Sequence, residues 1–100
     1  LHGADFTRAR LAGAEFSQSY LSFARLDGAD LKESFFDGAM LRGASMGRVN
    51  LLGAAMIGAD LTGTDLRESN LYGSKMKDVV KAGTRLEGAN LKLSIWSEEP

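Results

Sequence analysis

The residues able to do chemistry in this 100-residue chain are few and poorly grouped. His2 is the single histidine and has no Ser or Cys partner to complete a nucleophilic set, so it reads as inert surface. Cysteine is absent, which removes disulfides and thiolate sites and is compatible with the cytoplasm. The strongest candidates are short polar side chains recurring at multiples of five: Asp5, Asp30, Asn50, Asp60, Asp65, Asn70 and Asn90. Stacked carboxylates in such a register can bind a cation or act in acid–base chemistry. Arg10, Arg25 and Arg85 interrupt it, and the structural reading is stronger: each short acceptor hydrogen-bonds an adjoining turn. No G-x-x-x-x-G-K-S/T run exists, so the twelve glycines do not build a phosphate loop. The expectation is a protein without catalytic, metal or cofactor site.

What positions these side chains is a period of five. Positions 1, 6, 11 and so on to 96 hold twelve Leu, Phe6, Phe16, Phe36, Met46, Met56, Met76, Trp96 and a lone exception, Lys81. Two residues before each centre from Phe6 onward stands Ala, Ser, Thr or Val. A helix advancing about 100° per residue would scatter these centres around its cylinder. A flat strand would send successive centres to opposite faces, because its side chains alternate with period two. A chain that turns a corner every five residues points every centre and every small residue at one axis, and coiling then buries both. Eleven of the twelve glycines fall two residues after a centre, the third place of a turn, where type II geometry requires positive φ; Gly47 alone does not. Where Arg8, Phe23, Glu33, Arg48 and Glu68 take that place, the expectation is negative φ, giving corners of mixed type.

Runs such as Ala4-Asp5-Phe6, Ala29-Asp30-Leu31, Ala59-Asp60-Leu61 and Ala89-Asn90-Leu91 have the A-(D/N)-L-x-x form, and over essentially its whole length the chain resembles the pentapeptide-repeat family. The resemblance implies an all-β fold, a right-handed quadrilateral β-helix of about five coils with four pentapeptides each. Residues 1–96 would form the helix, with Trp96 as a lid, and 97–100 a non-repeat tail. One column of centres would be Leu11, Leu31, Leu51, Leu71 and Leu91, and another the bulkier Phe16, Phe36, Met56, Met76 and Trp96.

A uniform composition over 100 residues marks one domain. Thirteen acids against twelve bases give a formal charge of −1, which favours neither nucleic acid nor an anionic membrane as partner. No apolar run approaches membrane-spanning length and no signal-peptide pattern opens the chain. The first residue is Leu1 rather than Met, as in a segment excised from a longer protein, so an upstream domain or targeting signal is compatible with it.

The informative departures are apolar residues in outward registers. Tyr20, Phe23, Phe35, Met40, Ile57, Val80 and Ile95 map to two adjoining faces of a twenty-residue coil, while Leu52 and Tyr72 stack elsewhere. Tyr20, Phe23, Phe35, Met40 and Ile57 are the candidate partner surface, for a protein partner or for a homodimer. Lys81 breaks the beat, and a buried unpaired ammonium is costly, so its segment is expected to bulge outward or its side chain to snorkel through the last coil. Two functions follow: an interaction scaffold, alone or as one domain of a larger bacterial protein, or, from a branch of the resembled family, a DNA-like modulator of type II topoisomerases. The second needs a negative surface, and here bases alternate with acids.

Overall fold

The computed structural model describes residues 3–94. Parallel bridges join residues twenty apart, from Asp5 with Arg25 through to Asn70 with Asn90. The coil is therefore twenty residues long and has four sides, and the principal extents of 34 × 22 × 22 Å fit a square section. The bridging residues name the faces. The first face carries Asp5, Arg25, Ser45, Asp65 and Arg85; the second Arg10, Asp30, Asn50, Asn70 and Asn90; the third Glu15, Phe35, Ala55 and Lys75; the fourth Tyr20, Met40, Asp60 and Val80.

In the inner coils a pentapeptide donates three backbone bonds to the coils on either side. Around Leu26 these run from Leu26 N to Ser45 O (2.7 Å), from Arg25 N to Ala4 O (2.8 Å) and from Gly28 N to Gly47 O (2.9 Å), while Ala29 N closes the turn on Leu26 O (3.0 Å). That leaves the N–H just after each centre. Asp and Asn one place before the centre take it: Thr7 N–H donates to Asp5 Oδ1 (3.0 Å), Leu52 N–H to Asn50 Oδ1 (3.2 Å), Thr62 N–H to Asp60 Oδ1 (3.0 Å) and Tyr72 N–H to Asn70 Oδ1 (3.1 Å). The recurring carboxylates and amides are caps for an amide the ladder cannot use. Ser45 and Ala55 lack a carbonyl to do this. There an aspartate one coil earlier substitutes: Asp27 Oδ1 accepts from Gly47 N–H and Asp37 Oδ1 from Ile57 N–H, both at 2.8 Å.

The corners are uniform, not mixed. Arg8 (φ 59°), Phe23 (62°), Glu33 (57°), Arg48 (57°) and Glu68 (61°) all adopt the positive φ expected only of glycine, as do Gln18, Asp78 and Leu93. The ladder explains the correction. Type I and type II turns differ by a flip of their central peptide, and that peptide's N–H donates to the next coil, from Arg8 to Asp27 O (2.8 Å) and from Phe23 to Arg42 O (2.9 Å). Negative φ would turn the donor away, so a left-handed residue costing about 1 kcal/mol is the cheaper solution.

The core is one column thick. Centres of the three inner coils, such as Leu31, Phe36, Leu51, Met56 and Leu71, are fully buried, together with Ala24, Ala39, Ala54 and Val49. Phe6, Leu11, Phe16, Leu86 and Leu91 in the outer coils are half-buried, because each coil is covered only by its neighbours. Phe16 stacks on Phe36 at 5.1 Å between ring centroids, and Phe6 meets Phe16 edge-on at 5.8 Å. Inward hydroxyls bond to turn carbonyls, as buried Thr64 Oγ1 does to Leu41 O (2.6 Å) and half-buried Thr84 Oγ1 to Leu61 O (2.7 Å). In the turn after Met46, Ser69 Oγ donates to Met46 O (2.7 Å) and accepts from Val49 N–H (3.3 Å).

Lys81 does not produce a bulge. The bridges of Val80 to Asp60 and of Arg85 to Asp65 hold the register on both sides, and Thr84 N closes the turn on Lys81 O (3.1 Å). Lys81 lies in the final coil, where a centre is covered from one side only, and it is exposed.

Candidate interaction surfaces

The structure places the outward apolar residues on the third and fourth faces and their corners. Tyr20 is 69% exposed and bridges Met40 on the fourth face; Phe23, 60% exposed, occupies the corner that follows. The Phe23 ring lies across the next coil's corner, since a Cβ on Gly43 would stand 2.5 Å from it. Phe35 is exposed on the third face between Glu15 and Ala55, and Ile57 is exposed on the corner between the two faces. Met40 departs from expectation: it is half-buried, so it contributes a floor more than a protrusion. Val80 continues the fourth face beyond Asp60 and is exposed. His2, Ile95, Trp96 and the proposed tail 97–100 lie outside the described residues.

Leu93 was legible yet missed. It replaces glycine in the last corner between the second and third faces, is 71% exposed, and lines a groove of about 470 Å³ with Ile57 and Lys75. Leu52 and Tyr72 share its edge, both exposed.

The first face and the corner after it are of another kind. Arg67 Nε and Nη2 bind Asp65 Oδ1 and Oδ2 at 2.9 and 2.8 Å. The Arg67 side chain holds the Asp65 carboxyl below its ordinary value against the opposing effect of burial, helped by the Arg67 N–H and by Arg85. Thr7, through its hydroxyl and N–H, does the same for Asp5, and Ser17 for Glu15. At Asp60 burial pushes upward, but the Thr62 hydroxyl and N–H and the charge of Arg42 prevail, and the net direction is down. Asp27 accepts from Ser45 Oγ as well as from Gly47 N–H. Because Gly47 has no side chain, an open groove of about 630 Å³ forms there, lined among others by Asp27, Ser45, Arg48, Asp65 and Arg67. Among the described residues no His, Cys, Asp and Glu side chains gather as a metal site, and no helix is long and apolar enough to cross a membrane.

Twenty-residue coils, buried centres and capped turns define a solenoid of five-residue units. The family model for pentapeptide repeats matches residues 1–38, 19–54 and 44–80 with eight copies, and the chain belongs to the pentapeptide-repeat family. Its fold is the right-handed quadrilateral β-helix. Among solved structures it is similar to the pentapeptide repeat protein Rfr23 from the cyanobacterium Cyanothece 51142, with a TM-score of 0.88 and 35% identity over 90% of this chain and 62% of that one. It is also similar in fold to trypsin-treated QnrB1 (R167E), a plasmid-mediated fluoroquinolone resistance protein, with a TM-score of 0.55 and 20% identity over 90% of this chain and 58% of that one. The chain thus spans less than two thirds of the length of either. No curated protein matches it.

Proposed function

We propose that the rod is a non-catalytic protein-interaction module and that a partner protein is held on the fourth face and its neighbouring edges, by Tyr20, Phe23, Phe35, Met40 and Ile57. One observation carries this reading. Among the described residues the fourth face and its trailing corner bear three charges, Arg42, Asp60 and the exposed Lys81, yet expose Tyr20, Phe23 and Val80 on a backbone held flat by the ladder. Aromatic side chains on a rigid, nearly neutral platform match the composition of interface cores, where aromatics are enriched and charges depleted. On the adjoining corner Gly43 seats the Phe23 ring, while Gly63 and Gly83 leave the backbone beyond it clear of side chains.

The test is affinity capture by the purified chain and by a Phe35→Ser, Met40→Ser variant, followed by identification of what the native chain retains. The native chain is expected to retain a partner that the variant loses; equal retention overturns the assignment of this surface. A second reading, the topoisomerase modulator suggested by the fluoroquinolone-resistance protein of like fold, requires a continuous acidic face. None of the four columns of bridging residues is acidic throughout, so supercoiling by a type II topoisomerase is expected to proceed unchanged at micromolar chain. Inhibition there would reverse the order of the two readings.

A further inference from the structure

The charges on the first face are antisymmetric about its middle coil. From coil one to coil five the bridging residues read Asp5, Arg25, Ser45, Asp65, Arg85. Turned end over end, each acid of this column falls on a base and the neutral Ser45 falls on itself. Beside it, the residues following each centre read Thr7, Asp27, Gly47, Arg67, Glu87, where Asp27 and Arg67 exchange in the same way and Gly47 again falls on itself. The second, third and fourth faces lack this property: Arg10 would meet Asn90, Phe35 would meet Lys75, and the fourth column has Asp60 as its one charge.

We infer that the first face is a self-association surface that takes a second copy of this chain, face to face and antiparallel, about a two-fold axis lying along the middle coil. Rotation about an axis in the plane of the face reverses the order of coils and keeps the columns in register. Asp5 then faces Arg85 of the second copy, Arg25 faces Asp65, and Asp27 faces Arg67, and each pair occurs twice because the contact is isologous. On the axis stand the smallest residues of the surface, Ser45 and Gly47, so the two rods can approach most closely there. This gives the out-of-frame Gly47 a purpose that the turns do not. A Cβ at that position would stand 3.3 Å from Asp27 Oδ1 and would fill the groove at the axis. The one like-charged meeting, Arg48 with its own copy, falls on the corner, where the square sections curve apart and Glu68 stands one coil away.

Size sets the strength. A face about 20 Å wide over five coils at about 4.8 Å each offers about 500 Å² per partner, below the roughly 800 Å² of a standard interface. The pairs are exposed and therefore screened by salt. The dimer is weak, electrostatic and specific in register.

The inference rests on the rod being an interaction module but makes no use of the apolar patch, and the experiment separates the two. Sedimentation equilibrium of the whole chain across concentrations, at about 50 and 500 mM salt, is expected to show a monomer–dimer equilibrium that weakens at least about tenfold at high salt. Arg25→Asp and Asp65→Arg, each alone, place like charges in opposition twice and are expected to be monomeric. An equimolar mixture of the two variants restores opposite charges at both positions and is expected to form a heterodimer. Arg85→Asp touches no turn cap and repeats the loss if Asp65→Arg fails to fold. Phe35→Ser with Met40→Ser leaves this dimer unchanged, whatever it does to partner capture. A native chain that stays monomeric at low salt, or charge variants that dimerise as the native chain does, overturns the inference; a dimer lost in Phe35→Ser, Met40→Ser relocates it to the apolar surface.

Discussion

The first and fourth faces share a corner and the same ladder, yet they present opposite chemistry. The first face with its trailing corner carries Asp5, Arg8, Arg25, Asp27, Arg48, Asp65, Arg67, Glu68, Arg85 and Glu87; the fourth with its own carries Arg42, Asp60 and Lys81. Their corners differ as well. Arg8, Arg48 and Glu68 accept left-handed backbone after the first face, whereas after the fourth only Phe23 stands among glycines 3, 43, 63 and 83. The backbone is indifferent to this, because every face closes its ladder with main-chain atoms and points only its centres and small residues inward. A solenoid can thus vary one face without disturbing another, and surface chemistry is decoupled from fold.

The comparison breaks most completely if the shared core is removed. Leu51 is fully buried in the middle coil, and Leu51→Ala is expected to cost about 2–5 kcal/mol in urea unfolding, with both surfaces lost together. A cost below about 0.5 kcal/mol would mean that the coils do not depend on their centres.

The fourth-face corner can be probed without touching the first. Gly43→Ala puts a Cβ at φ 67° and into the Phe23 ring, for about 2–3 kcal/mol, while Gly63→Ala at the same φ meets only backbone at 3.9 Å and is expected to cost about 1 kcal/mol. Combining Gly43→Ala with Phe23→Ala should bring the two costs together. Equal costs in the single variants would show that the Phe23 ring does not rest on the glycine row.

Acid probes the capped carboxylates, of which Asp5 and Asp65 stand on the first face. Asp5, Glu15, Asp60 and Asp65 are held below ordinary carboxylate values of 3.8 for Asp and 4.5 for Glu. A depressed folded pKa contributes stability that is complete above the unfolded value and is lost as pH falls through the folded one. Urea midpoints are therefore expected to be level from neutral pH down to about 4.5 and to fall below it. Asp65→Asn should flatten that fall, and an unchanged slope would remove Asp65 from the account.

The smallest effect lies beneath the third face, away from both surfaces. Among the described residues Ser74 Oγ is buried with no hydrogen-bond partner, unlike the hydroxyls of Ser34, Thr64 and Ser69. Ser74→Ala is expected to raise stability by about 1 kcal/mol, read as a shift of the urea midpoint at constant slope. A loss would show that the hydroxyl makes a bond the structure does not contain.

Much of this was legible beforehand. The five-residue beat identified the buried centres, the small-residue column and the glycine corners, and outward Tyr20, Phe23, Phe35 and Ile57 were recognisable as apolar residues in polar registers. The corner conformation of Arg8, Phe23 and Glu33 was not, because the turn type depends on which neighbour needs the central N–H, and that neighbour lies twenty residues away. The charge pattern of the first face was hidden for the same reason. Asp5 and Arg85 are far apart in sequence and acquire a relation only when coils are stacked and counted from the middle.

Sequence alone determined the period, the direction of each side chain and the residues able to cap a turn, since these follow from local sterics and from burial repeated every five positions. The tertiary structure decided which residues share a face, which aspartate reaches across a coil to Gly47 or Ile57, and which side chain lies over which glycine. Those relations are set by the twenty-residue coil, whose length is fixed by closure of the ladder and not by any single repeat.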